Sequence, residues 1–357
     1  MTITPVRRRL SLAAVSATGA AALLASLALA PGVTASATTT APVSAGAVAA
    51  AAASTPLKGT LLLTPGAYDA TTKKARGSYF RMILPGGTDA YFTNNDSLAA
   101  DKTYTLFVPG SDGGLKLGSY QQPVTPAFVN GDAQTAKIIR PLKFAGIYFT
   151  QTTAPVDAQN GQATPAPSLS VTGNHVTGNT SAWTSGWNSI YFNQGSPKPD
   201  GSYPGFTKAV NGTYDKKTHA YEIVWYSQIV GGPFNNFTGY WHLQGTLADG
   251  TIGLATATSK IKVKKGKTVT VKVTATNWTE KALAKSKITV KAPKTLKLAA
   301  KSKKATVAKL KLAGSKVVKV KLRVGKKAKP GKHKVKLTWA VGGKKVTKTV
   351  TVTVKKK

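Results

Sequence analysis

The chain of 357 residues contains no cysteine. That absence excludes disulfides, thiolate metal sites and a cysteine nucleophile, and it leaves packed apolar area as the source of stability. Acidic residues are scarce: 12 Asp and Glu stand against 50 Lys and Arg, a formal net charge of +38. Histidine occurs only four times, without His-x-His or His-x-x-x-His spacing, so the chain carries no metal-binding motif. A Gly-x-Ser-x-Gly nucleophile elbow and a phosphate-cradling glycine loop are likewise missing.

What is present points to β-structure. A hydrophobic fraction of 41% can build cores, and 34 Gly with 19 Pro imply many turns. The length fits two domains after a leader. The charge is unevenly placed. Residues 260–357 hold 32 Lys, one Arg (Arg323) and one acid (Glu280), a net of +32. Residues 55–250 hold 14 basic and 11 acidic residues, a net of +3.

Arg7, Arg8 and Arg9 precede an uncharged Leu/Ala/Val stretch from Leu10 to Ala30, and Ala35-Ser36-Ala37 has the small-x-small form of a cleavage site. Residues 1–37 therefore read as a secretory signal peptide. An uncleaved anchor is the alternative, since 21 residues can span a bilayer. The stretch is weakly apolar, however, and lacks a stop-transfer pattern. The Arg-Arg-Arg-Leu-Ser-Leu run is similar to a twin-arginine signal, which leaves the export route open. Residues 38–55 are an Ala/Thr-rich, low-complexity spacer with no side chain bulkier than Val.

Residues 56–252 alternate short β-prone runs with turn dipeptides such as Pro109-Gly110 and Asp112-Gly113. No long segment has a helical apolar period. In 211–247, Tyr221, Ile223 and Trp225 share one strand parity, and Glu222 and Tyr226 share the other. On the next strand Trp241 and Leu243 alternate with Tyr240, His242 and Gln244. Trp225 and Trp241 are expected to pack inward. Trp183, Trp187 and the stretch Tyr191–Phe206 read as an aromatic, Gly/Pro-rich surface loop. The blocks YFNQGSPKPDGS and IVGGPFNNFTGYWHLQGT resemble those of a group of uncharacterised exported bacterial β proteins, in which variants of GGPFNGFTGYWHLEGT recur. That resemblance covers most of 56–248 and implies a real domain without implying an activity.

The acids of this region sit mostly beside Gly, Asn, Ser or Pro in predicted turns, where Asp bonds the local backbone. Only Glu222 lies on a strand near aromatics, and the sequence shows it no partner for glycosidic chemistry. His175, His219 and His242 are unlinked. No catalytic residue, metal or cofactor is expected. Ligand binding is the stronger candidate. Trp183, Trp187, Tyr226, Tyr240 and His242 offer faces for sugar rings, with Asn188, Asn193 and Gln194 as amide partners for hydroxyls. The competing reading has Trp183 and Trp187 closing the end of a core.

Residues 257–357 alternate apolar and polar almost without interruption, as in Val269/Val271/Val273/Ala275, Val318/Val320/Leu322/Val324 and Val335/Leu337/Trp339/Val341. A period of two with one apolar face predicts seven or eight antiparallel strands in a β-sandwich. The order Lys265–Asn277 (KGKTVTVKVTATN), Ala292-Pro293 and Pro330-Gly331-Lys332-His333 resembles the immunoglobulin-like accessory domains of secreted bacterial proteins, of the CARDB or NEW3 type. The resemblance implies a spacer or adhesion module without catalysis.

Lysine on outward positions protects strand edges from pairing with other chains. That role does not explain why acids are excluded. A field of one sign attracts polyanions, within a screening length of about 8–10 Å. Anionic wall polymers or a membrane surface fit, and specific nucleic-acid binding does not, because Trp278 and Trp339 are the segment's only aromatics. The expected molecule is all-β, with two β-sandwich-like domains, the second Ig-like. It is secreted, non-enzymatic and held at the cell envelope through its basic domain. The alternative is a carbohydrate-binding or glycan-active protein that uses the aromatics of 183–242.

Overall fold

The structure, a computed structural model, describes residues 53–356 apart from 88, 300, 301 and 303. The signal peptide and nearly all of the spacer lie outside the described residues. Those described form strands and turns with no α-helix, and no helix is long and apolar enough to cross a membrane. The fold is all-β and sandwich-like around two separate hydrophobic cores.

The first core lies under a ten-stranded antiparallel sheet. Its order runs Thr55–Pro56, Ser168–Thr172, His175–Asn179, Lys208–Tyr214, Ala220–Gln228, Thr238–Ala248, Gly59–Leu63 and Gly114–Leu117. One edge of Thr238–Ala248 serves two strands. Its first half pairs Tyr79–Ile83 and its second half pairs Gly59–Leu63. The facing layer has four strands, Leu142–Phe144, Ile147–Thr153, Trp183–Trp187 and Ile190–Asn193. The alternation of Ala220–Gln228 is plain: Tyr221, Ile223 and Trp225 are buried, and Tyr226 faces the other way. Trp225 stands opposite Trp241 in register, and the Trp183 ring meets both edge-on at 5.4 and 5.5 Å. Edge-to-face contact suits the aromatic quadrupole, so three indoles lock the two layers together.

Trp183 and Trp187 therefore lie on a strand, not in a surface loop. The polar residues around them pair with Ile147–Thr153, and Trp183 is wholly buried. Two of the three supposed edge amides are structural too, while Asn188 stays exposed. Gln194 is 2% exposed; its backbone carbonyl accepts from Trp225 Nε1 at 2.9 Å and its Oε1 from Trp241 Nε1 at 3.2 Å. Asn193 is buried and donates to the Ser181 carbonyl.

The second core lies between a four-stranded sheet (Thr251–Thr256, Thr268–Trp278, Ser315–Val324, Leu296–Leu298) and a five-stranded one (Lys260–Val263, Lys344–Val354, Gly331–Val341, Ser286–Lys291, Lys304–Val307). Among the described residues, eight of these nine strands lie within 257–357, as the periodicity predicted. The strand Thr251–Thr256 belongs to this sheet, because it pairs along its whole length with Thr268–Trp278. Valine and leucine fill the interior around Trp339, whose Nε1 donates to Ser286 Oγ at 2.9 Å. The last strand of the first sandwich runs straight into the second. Trp278 stacks on His219 at 3.7 Å and closes over Gly253, whose absent Cβ leaves room for the indole. Thr60 donates to Glu280, the segment's one acid, at 2.6 Å.

Candidate functional site

Two surfaces stand out, one aromatic and one cationic. The aromatic one is the outer face of the ten-stranded sheet. Lys208, Tyr226, Tyr240 and Arg81 are consecutive register partners on four neighbouring strands, so their side chains line up at the interstrand spacing of about 4.8 Å. Tyr226 and Tyr240 pack at 5.0 Å, and Tyr240 approaches Tyr79 at 6.0 Å. Arg81 donates to Thr103 Oγ1 at 2.8 Å, with its guanidinium 3.2 Å from the Tyr91 ring centre and 4.2 Å from that of Tyr104.

Burial pushes the phenols of Tyr79, Tyr226 and Tyr240 above the usual tyrosine range. They stay protonated donors at neutral pH. Alternation gave Tyr226 and Tyr240 the outward parity that the structure shows. It missed Arg81, Tyr91 and Tyr104, although Arg81 occupies the outward position of Tyr79–Ile83 and only the strand pairing was needed to find it.

His242 shares the outward parity but is 6% exposed. It stacks on Tyr79 at 4.5 Å, with Nδ1 2.7 Å from the Gly77 carbonyl and Nε2 2.9 Å from Glu222 Oε1. Glu222 thus has a partner. His242 is its diagonal neighbour across the strand pair, reached because Glu222 stands opposite Gln244. Each ring nitrogen thus lies against a protein oxygen, so the imidazole is held in the sheet face between Gly77 and Glu222.

The predicted ligand residues are consequently divided. Trp183 is in the core. Trp187 is half-buried against it, donating to the Phe144 carbonyl at 2.7 Å on the other layer. Tyr226 and Tyr240 remain on the surface beside His242, but Lys208 lies 4.9 Å over the Tyr226 ring and the rings tilt by 57°. This is a packed cluster rather than a flat platform. Among the described residues no group of three or more His, Asp or Glu is placed to hold a metal ion.

The cationic surface is the outside of the second sandwich. Its lysines point outward on both sheets because the intervening residues fill the core. Several like charges stand directly opposite one another: Lys272 with Lys319, Lys291 with Lys336, and Lys297 with Arg323. Like charges in that position destabilise a strand pair. No acid offsets them. The ion pairs among the described residues all lie in the first sandwich. On the five-stranded sheet, outward threonines of Lys344–Val354 (Thr349, Thr351 and Thr353) alternate with the lysines of its neighbours. Lys260 and Lys334 flank Thr351, and Lys262 and Lys332 flank Thr353.

No curated protein matches the sequence. Among solved structures, the secreted serine protease VesC from Vibrio cholerae aligns at 12% identity with a TM-score of 0.24. That alignment covers 85% of this chain and 66% of that one, just under two thirds of its length. The N-terminal domain of the Streptococcus gordonii adhesin Sgo0707 aligns at 11% identity with a TM-score of 0.20, over 84% of this chain and 91% of that one. Neither likeness is close enough to carry an argument. The family comparison is specific to the cationic sandwich: residues 263–342 match the NPCBM-associated, NEW3 domain of alpha-galactosidase, and this part of the chain is similar to that immunoglobulin-like accessory domain.

Proposed function

We propose that the protein works outside the cell without catalysis of its own, and that its NEW3-type sandwich retains it on the anionic polymers of the cell wall. The observation that carries this reading is the unneutralised lysine surface. Lysine faces lysine across neighbouring strands, and no ion pair relieves the repulsion among the described residues. A bound polyanion supplies the missing counter-charge. The family match supports an accessory role for this sandwich, since the family is described by its association with another module.

The test is retention of the full chain on purified cell walls across a salt series, beside walls stripped of their phosphate- and carboxylate-bearing polymers and beside anionic vesicles. Binding should be strong at low salt, fall steeply as the Debye length shrinks from about 10 to 3 Å, and vanish on stripped walls. Retention that ignores salt, or equal retention on stripped walls, overturns the reading.

A further inference from the structure

Three segments remote in sequence meet at a pocket of about 330 Å³ in the first sandwich. The loop after Ile147–Thr153 contributes Asp157 and Asn160. The YFNQGSPKPDGS block contributes Lys198, Asp200 and Ser202, and the IVGGPF block contributes Val230. Gln159 ties them together: its Oε1 accepts from the Asn193 amide and its Nε2 donates to the Val230 carbonyl. Both sequence blocks that distinguish this domain therefore converge on one cavity.

The charges lining it are buried and incompletely used. Asp157 is 2% exposed; its Oδ1 accepts from the Gln159 amide at 2.8 Å, and its Oδ2 has no partner. Lys198 is 6% exposed; its Nζ donates to the Asn193 carbonyl and to Ser227 Oγ, both at 2.8 Å, which leaves one proton unused. The two do not pair with each other, since the ion pairs of the described residues lie elsewhere. Leaving a buried carboxylate oxygen unpartnered is costly, so such a group is a reason to look for a ligand.

We infer that this pocket binds a neutral saccharide unit, with Asp157 accepting from one hydroxyl and Lys198 donating to the same or an adjacent one. A hydroxyl is donor and acceptor together, so it bridges a free carboxylate oxygen and a free ammonium proton that do not meet directly. The volume lies at the small end of the range of about 300–1,000 Å³ typical of ligand pockets. Asn160 and Ser202 add neutral polar contacts. Asp200 makes the lining two acids to one lysine, which disfavours an anionic ligand. The inference stands apart from wall retention, which uses the other sandwich.

The test is saturation-transfer NMR on the full chain with the methyl glycosides of galactose, glucose and N-acetylglucosamine, with methyl glucuronide and glycine as charged controls. At least one neutral glycoside should bind. Asp157→Asn removes a charged hydrogen bond with little change of shape, and Ser202→Trp fills the pocket from an exposed position. Each should weaken binding roughly ten- to hundred-fold. Tyr240→Ala, on the other face, should leave it unchanged. Binding of glycine in place of the glycosides, no binding of any neutral glycoside, or equal binding by the Asp157→Asn and Ser202→Trp variants overturns the assignment.

Discussion

Burial pushes the Lys198 amine down from the ordinary lysine value of 10.5 to about 8, against the opposing pull of Asp157 and Asp200. The unfolded chain holds that proton to about pH 10.4, so between about pH 8 and that value the unfolded state binds more protons. Stability therefore rises with pH across the window, and below it the cost of burying the charge, about 3 kcal/mol, is present in full. Tyrosine closes the window from above. Burial pushes Tyr214 up to about 12 and Tyr221 well above its usual range, so unfolded phenols ionise first, near pH 10, and stability then falls. Urea titrations should show wild-type stability climbing between pH 8 and 9.5 and Lys198→Met staying flat, whatever the variant's absolute stability. Parallel curves would mean that another group titrates.

The same scale explains where sequence reading stopped. Trp183 sits in NTSAWTSGWNS, whose polar neighbours are themselves buried and hydrogen-bonded, so local composition resembled a loop. The glycine of the FTGYWH motif also has a packing cause. A Cβ on Gly239 would lie 2.2 Å from Gln194 Oε1 and 2.6 Å from Trp241 Nε1, inside the hydrogen bond that they share.

At the scale of strands, legibility divided between the two sandwiches. In the NEW3-type sandwich valine and lysine alternate strictly, so period two exposed the strands, the buried face and the lysine face together. Even the asparagine ending KGKTVTVKVTATN has a structural office. Asn277 is fully buried, donating to the carbonyls of Lys281 and Lys311 and accepting from Thr279. In the first sandwich the parity of Ala220–Gln228 and Thr238–Ala248 was equally readable, but their neighbours were not. Thr238–Ala248 takes two separate partners on one edge, both more than 150 residues earlier, and nothing local encodes that pairing. The saccharide pocket was hidden for the same reason, because only the fold brings Asp157 and Lys198 to one cavity.

The cationic ladder makes an element-scale prediction. Lys319→Glu turns the repulsion across Lys272 and Lys319 into attraction on an exposed strand pair. It should raise stability at low salt by about 0.5 kcal/mol, with the gain fading at high salt. Equilibrium denaturation of both proteins at two ionic strengths measures it. Equal stability at low salt would show that the lysines already splay apart.

At the scale of the molecule, the two cores answer to different forces. The first holds a near-neutral surface over a three-tryptophan interior, and the second encloses its core in a shell of one sign. A ligand that binds only the native second sandwich stabilises it by mass action, about 2.7 kcal/mol at a hundredfold excess over Kd. Self-repulsion among the lysines is relieved in the same step. Calorimetry of the full chain with added inorganic polyphosphate should therefore resolve two transitions and raise one of them, with sodium chloride at matched ionic strength raising it far less. Unfolding fluorescence distinguishes which core moves, since Trp339 is buried in the second and Trp183, Trp225 and Trp241 in the first. If both transitions rose together, polyanion binding would be acting on the unit as a whole, through contacts such as the His219–Trp278 stack, and retention could not be assigned to the lysine surface alone.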